Sequence, residues 1–368
     1  MKSGYIYSVS DKALFDAINN SKVSNKEIQD IFFARGILIS KDTPKNELAF
    51  YYSVLPSSFR EFERLTGTLG TKIRKERSSS CLISKNVKKD DLIQAAQDLC
   101  KSIQDNHDGH ADCNILPSGE IEIKINYEEL KLDRSELRQT VKKEAVIVFE
   151  KNKDGYTLRV PANPDCEKWK EDLIQKIQKG SVEEIKFNDI SLEHILEPAL
   201  RTQFFTELIG EIGELELLDV TDAYVFHPKK KIDSDADDLD AEIDLGVHIS
   251  KASLKGEGVL QSEEIRGLYE KGFYIWKIVW RCKERLQGSD QIEIEAQFSE
   301  AESFTGFSYI VKGQYRYKSL NEYSRTRTPL SYILEKNILQ KLEKKAHETI
   351  QLISDQATGE KDDENKIP

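Results

Sequence analysis

SNKEIQDIFFARGILISKDTPKNELAFYYSVL, residues 24–55, reads as two short helices with an extended joint between them. Residues 25–35 carry apolar side chains at Ile28, Ile31, Phe32 and Phe33, a helical spacing. Ser24 suits an N-cap, and Glu27 three residues on completes a capping box. Gly36 tolerates positive φ and should end the first helix. Ile37, Leu38 and Ile39 should be extended, since β-branched side chains lose χ1 freedom in a helix. Thr43 as N-cap and Pro44 at the first helical position open the second helix, whose inward stripe is Leu48, Tyr51, Tyr52 and Leu55.

Outward from this stretch the chain alternates between helical and strand patterns. Residues 90–103 and 166–178 have helical periodicity. Residues 120–127, 145–150 and 156–160 read as strands, with Asp154-Gly155 as a hairpin turn and a short helix over 135–143. Residues 191–212 are mostly helical, with Pro198 marking a break or a new start. Residues 215–226, 243–249, 273–282, 292–298 and 307–317 are strand-like. In FYIWKIVWRC, residues 273–282, alternation places Tyr274, Trp276, Ile278 and Trp280 on one face and Phe273, Ile275, Lys277, Val279 and Arg281 on the other. Residues 329–353 form a long helix that covers this sheet or pairs with another subunit. The expected class is α+β: a helical module over 1–80, an α+β unit over 81–228, a β-rich unit with the long helix over 241–353, and a disordered tail over 354–368. Residues 229–240, KKKIDSDADDLD, read as an exposed hinge; the glycine and closing glutamate of a calcium loop are not in place.

Composition narrows the function. The chain has 368 residues and a net charge of −11, which excludes a uniformly basic binder. Residues 1–95 nevertheless carry 16 Lys and Arg against 11 Asp and Glu. A basic end on an acidic body is what a phosphate-contacting arm looks like. No apolar run reaches the roughly 18 residues a membrane helix needs, and residues 1–15 lack the apolar core of a secretory signal. Five scattered cysteines without a CxxC suit reduced thiols in the cytosol.

The helix–extension–helix layout resembles the SAP, LEM and Rho-N modules. The matching residues are Ile28, Arg35-Gly36-Ile37 and Thr43-Pro44-Lys45-Asn46-Glu47-Leu48, with Ser40-Lys41-Asp42 where those modules carry a second glycine. The resemblance implies contact with nucleic acid, DNA first, and Arg35, Lys41 and Lys45 as phosphate ligands. The polar stretch over 68–80 adds Lys72, Arg74, Lys75 and Arg77 as a flexible phosphate-tracking loop, or as a solvated linker.

Two constellations suggest chemistry. His107, His110 and Cys113 have zinc-like ligand types but no close fourth ligand. Asp112 followed by Glu122 and Lys124 has the spacing of a PD-(D/E)xK nuclease core, in which two carboxylates hold magnesium and the lysine steadies developing charge. In so charged a chain the same pattern also describes a solvent-facing strand. The aromatics Tyr274, Trp276, Trp280, Tyr309, Tyr315 and Tyr317, with Lys277, Arg281, Lys312 and Arg316, suit base stacking and phosphate contact; burial under a helix is the expected role. No Walker loop, GxGxxG, GxSxG or HExxH occurs. The reading is a non-enzymatic, cytoplasmic nucleic-acid-binding protein without cofactor. The alternatives are a metal-dependent nuclease, or a protein-interaction subunit of a multiprotein system such as a defence system; the last helix is the candidate surface for a protein partner or a homodimer, and no membrane is expected.

Overall fold

The structure is a computed structural model and describes residues 10–20, 23–58, 64–66, 75–134, 137, 139–153, 155–180, 183–228, 250–320 and 322–364, with side chains as far as 358. Its helices are α1 (Asp11–Asn19), α2 (Asn25–Phe33), α3 (Lys45–Ser53), α4 (Lys89–Asp105), α5 (Pro164–Gly180), α6 (Pro198–Leu208), α7 (Glu263–Glu270) and α8 (Tyr332–Glu364). Its strands are β1 (Ser78–Ser84), β2 (Gly109–Ile115), β3 (Ile121–Leu130), β4 (Thr140–Asn152), β5 (Gly155–Pro161), β6 (Phe187–Asp189), β7 (Glu211–Ile212), β8 (Leu215–Phe226), β9 (Lys251–Lys255), β10 (Tyr274–Glu284), β11 (Gln291–Glu300), β12 (Thr305–Tyr315), β13 (Tyr317–Ser319) and β14 (Glu322–Tyr323). The class is α+β, with mainly antiparallel strands and a long C-terminal helix.

The sequence suggests boundaries near residues 80 and 228. The chain instead divides into two interleaved compact units: Met1–Lys75, Lys89–Ile147 and Gln175–Gly180 form the first, and Glu76–Lys88, Val148–Ile174 and Ser181–Pro368 the second. In the first, α1, α2 and α3 share a core of Leu14, Ala17, Ile18, Ile28, Ile31, Phe32, Leu48, Ala49 and Tyr52, closed by Leu65 and Leu137. Elsewhere in this unit α4 packs on β2 and β3. The apolar positions of α4 (Leu92, Ala96, Leu99, Ile103) recur at helical spacing, and Ile121, Ile123 and Ile125 alternate along β3.

In the second unit the strand order is β5-β1-β12-β11-β10-β8-β7, with β6 on β1 and β9 on β8. Helices α6 and α8 pack together, α6 on β10 and α8 on β12. Phe204, Phe205, Phe298, Phe304 and Phe307 interlock edge to face or stacked at 4.0–6.1 Å between ring centres. Each such ring stabilises the fold by about 2–3 kcal/mol on burial.

Several expectations change. Ser78–Ser80 are not a flexible linker. They begin β1, paired with Pro161, Val160 and Arg159 of β5, because the alternation continues into buried Cys81 and Ile83. The expected boundary at 80 falls inside that strand. Residues 140–143 are strand rather than helix, since Thr140 and Val141 favour the pleated conformation. The helix expected over 191–212 begins only at Pro198, which sits in the first turn, where its missing N–H costs nothing. Gly155, expected in the hairpin turn, is already in β5 and paired with Asn152 of β4; residue 154 lies outside the described residues. The glycine is required by close approach, because a Cβ there would stand 2.0 Å from the Ile83 carbonyl oxygen. The tail is not disordered from 354: α8 continues to Glu364, with Ile353 buried and Ala357 packed on the core one turn later. The strand expected over 243–249 and the hinge over 229–240 lie outside the described residues.

Candidate nucleic-acid interface

The helical module takes the form its residues dictate. The Glu27 amide donates to Ser24 Oγ at 3.3 Å, and the Ser24 amide donates to Glu27 Oε2 at 2.8 Å, closing the capping box. Gly36 has φ 75°, and the Ile37 amide donates to the Phe32 carbonyl at 3.1 Å, which ends α2. Residues 37–40 belong to neither helix nor strand. Helix α3 opens one residue later than expected, with Pro44 as its N-cap and no side-chain cap. A proline cap offers no side-chain oxygen acceptor, so α3 starts without a side-chain cap. Phe32 meets Tyr52 edge to face at 5.2 Å and locks α2 to α3.

The expected phosphate ligands separate by role. Lys41 is exposed on the joint, and Lys45 is the first residue of α3, where burial lowers its amine below the ordinary lysine value. Arg35 is structural: Nη2 donates to the Pro56 carbonyl at 2.5 Å, and the guanidinium lies 5.4 Å from the Tyr52 ring centre. Lys72 and Arg74 lie outside the described residues. Lys75 is exposed at the end of a segment of the first unit. Arg77 belongs to the second unit and is neutralised, with Nε donating to Glu295 Oε1 at 3.0 Å. The tracking loop therefore loses Arg77, because a carboxylate on β11 already holds it.

The zinc-like cluster does not assemble. His107 is in a turn at φ 55°, and strand alternation in β2 points His110 and Cys113 to opposite faces. Among the described residues no group of three His, Cys, Asp or Glu converges on a possible metal position. The Asp112, Glu122 and Lys124 set does share a face. Asp112 pairs with Lys124 and Asn114 with Glu122 across β2 and β3. Glu122 is buried and its Oε1 lies 3.2 Å from Lys124 Nζ, while Asp112 lies 3.3 Å from His110 Nε2.

The sheet of the second unit carries the densest charge. Alternation along β10 breaks at a bulge between Ile275 and Lys277, where Trp276 is the extra residue against β8. The aromatic set splits accordingly. Tyr274, Trp280 and Tyr309 are buried in the core, as expected, whereas Trp276 and Tyr315 are only partly covered. Tyr317 meets Tyr323 at 5.7 Å beside exposed Arg316. Opposite the core, Glu293 and Glu295 on β11 gather five cations. Glu295 Oε1 accepts from Arg77 and lies 2.9 Å from Lys277 Nζ. Glu293 Oε1 accepts from Arg327 Nη1 at 2.5 Å, and its Oε2 accepts from the Tyr315 hydroxyl at 2.9 Å and lies 3.6 Å from Arg281 Nε. Lys312 is the extra residue of a β12 bulge and reaches both carboxylates at 3.4 Å. Burial alone would raise the Glu295 carboxyl, but hydrogen bonds and charge from Arg77 and Lys277 hold it down to about 2. The glutamate side chains are 7% exposed and the cations 15–38%. Aromatic rings line the margin: Lys277 lies 4.9 Å from the Tyr224 ring centre, Arg281 4.7 Å from Tyr315 and Lys251 5.2 Å from Trp276. The sequence flagged Lys277, Arg281 and Lys312 but not their anchors. Glu293 and Glu295, two apart on one strand face, were the available signal.

No family model matches the chain, and no curated protein matches it. No helix among the described residues is long and apolar enough to cross a membrane.

Proposed function

We propose that this chain is a nucleic-acid-binding accessory protein, without catalysis of its own, that meets phosphates through its helical module. The observation that carries the reading is the joint between α2 and α3. A left-handed glycine ends one helix, the next begins without a side-chain cap, and Lys41 and Lys45 stand at that junction. A helix N-terminus beside lysines offers N–H donors and positive charge to phosphate oxygens. The overall charge of −11 opposes adventitious adhesion, so binding would be local to such a site. The similarity to SAP-type modules supports DNA as the ligand. Five free thiols, four of them buried, suit a reducing compartment such as the cytosol. The test is binding of labelled duplex DNA by the full chain at two salt concentrations. Affinity should fall as salt rises, and Lys41→Gln with Lys45→Gln should lower the salt slope by about 1.8, or roughly 0.9 for each phosphate no longer neutralised. Absence of binding at low salt, or a slope indifferent to both lysines, would sink the reading.

A second reading keeps one specific support: Asp112, Glu122 and Lys124 share a strand-pair face. Magnesium-dependent cleavage of DNA by the wild type, abolished in Glu122→Ala, would establish it. Cleavage unchanged in that variant, or no cleavage by the wild type, removes it.

A further inference from the structure

We propose that the polar face of the β10–β11–β12 sheet, at Lys277, Arg281, Lys312 and Arg327, is a second binding surface, built for a phosphate-bearing ligand. This inference does not rest on the helical module. Five basic side chains converge on two carboxylates, so the cluster carries a surplus of positive charge. One cation per glutamate would neutralise the buried acids. Of the neighbouring acids, Asp222 pairs with Lys255 at 3.5 Å and Glu216 with Lys283 at 3.3 Å, while Asp219, opposite Arg281 in register, accepts the Gly258 amide at 2.9 Å and keeps its charge, so it offsets part of the surplus and leaves the cluster positive.

The cations are also held in place. Glu293 and Glu295 lie beneath them and fix their heads, and Tyr224 and Tyr315 support Lys277 and Arg281. Prepositioned guanidinium and ammonium groups lose little freedom on meeting an anion. Among the described residues Arg281 Nε and Trp276 Nε1 have no hydrogen-bond partner, but both atoms are buried, so a ligand would meet the outer guanidinium and ammonium nitrogens instead. Arginine forks, lysines and partly open rings on one sheet face match phosphate oxygens flanked by a base or sugar. That chemistry occurs in a single-stranded nucleic acid and in a free nucleotide.

The experiment uses the full chain with two probes, a labelled single-stranded DNA 20-mer and a fluorescent nucleoside triphosphate. Arg281→Gln with Arg327→Gln should weaken at least one probe about tenfold, and should lower the oligonucleotide's salt slope by about 1.4 if the strand is the ligand. Weakening of the oligonucleotide alone assigns the surface to a polymer backbone; weakening of the triphosphate assigns it to a nucleotide. Glu293→Gln adds one unit of positive charge and should tighten the same probe. If the arginine pair proves misfolded by its thermal midpoint, Glu293→Gln decides, and failure to tighten overturns the inference. Unchanged affinity of both probes in a folded arginine variant also overturns it. Weakening confined to Lys41→Gln with Lys45→Gln leaves the helical-module reading intact and removes this one.

Discussion

The two faces of the second unit's sheet hold ionic clusters of opposite design. On the face under α8, Arg159 is gripped by Glu343, Nε to Oε1 at 2.5 Å and Nη2 to Oε2 at 2.7 Å, and by Glu150 at 3.3 Å. Tyr309 donates to Glu343, and Gln340 donates to Glu150. Burial would lower the Arg159 guanidinium, but the hydrogen bonds and charge of Glu343 raise it further above its usual range. Here one cation meets two carboxylates, nearly every polar atom has a partner, and the helix lies over them. On the other face five cations meet two carboxylates and stay partly open to solvent. Like charges repel, and the carboxylates between them and the solvent offset part of that repulsion. The first cluster is a latch between sheet and helix. The second leaves more cations than carboxylates, partly open to solvent.

Stability measurements can break this contrast. Arg159→Met leaves Glu343 buried without its cation and should cost about 3–5 kcal/mol in urea unfolding; a loss under about 1 kcal/mol would mean the latch contributes little. Acid comes next. Glu295 is held at about 2 against an ordinary 4.5, so its stabilisation is complete above pH 4.5 and is lost as pH falls toward 2, about 3 kcal/mol in all. His347 on α8 is pushed down to about 4 by burial, against the neighbouring charge of Asp189, and its Nε2 has no hydrogen-bond partner among the described residues. The unfolded chain takes up its proton first, so stability should fall by about 2 kcal/mol between pH 6.5 and 4, after discount for partial exposure. A His347→Gln variant should lose the upper step and keep the lower one. The smallest effect sharpens the contrast most. Arg327→Gln removes a surplus cation and should change stability by less than about 1 kcal/mol. A cost matching Arg159→Met would make the outer cations structural and undo the contrast.

Much of the helical module was legible because its signals are local. A capping box spans three residues, and the glycine at a helix end answers to its own φ. Strands β3, β5, β8, β11 and β12 were legible from alternation. Strand β2 was not, since Asn106 to His110 reads as a turn and the polar residues of Gly109–Ile115 mask it. The outer ionic cluster was half legible. Lys277, Arg281 and Lys312 stood out beside aromatics, but alternation did not foresee the bulge at Trp276, which the pairing with β8 sets and which leaves that ring only partly buried.

By itself the sequence determined the α+β class, the capping box of α2 and most of the apolar rows that the elements bury, though Phe33 and Tyr51, placed in those rows, are exposed. Those features follow from dihedral preferences and from periods of 3.6 and 2, which act within a few residues. Only the tertiary structure decided that Arg77 meets Glu295, that Ser78–Ser80 enter a sheet, and that one unit takes its strands from three separate segments. Coulomb energy and strand register depend on distance in space, and residues 77 and 295 become neighbours only once the sheet has closed its ladders.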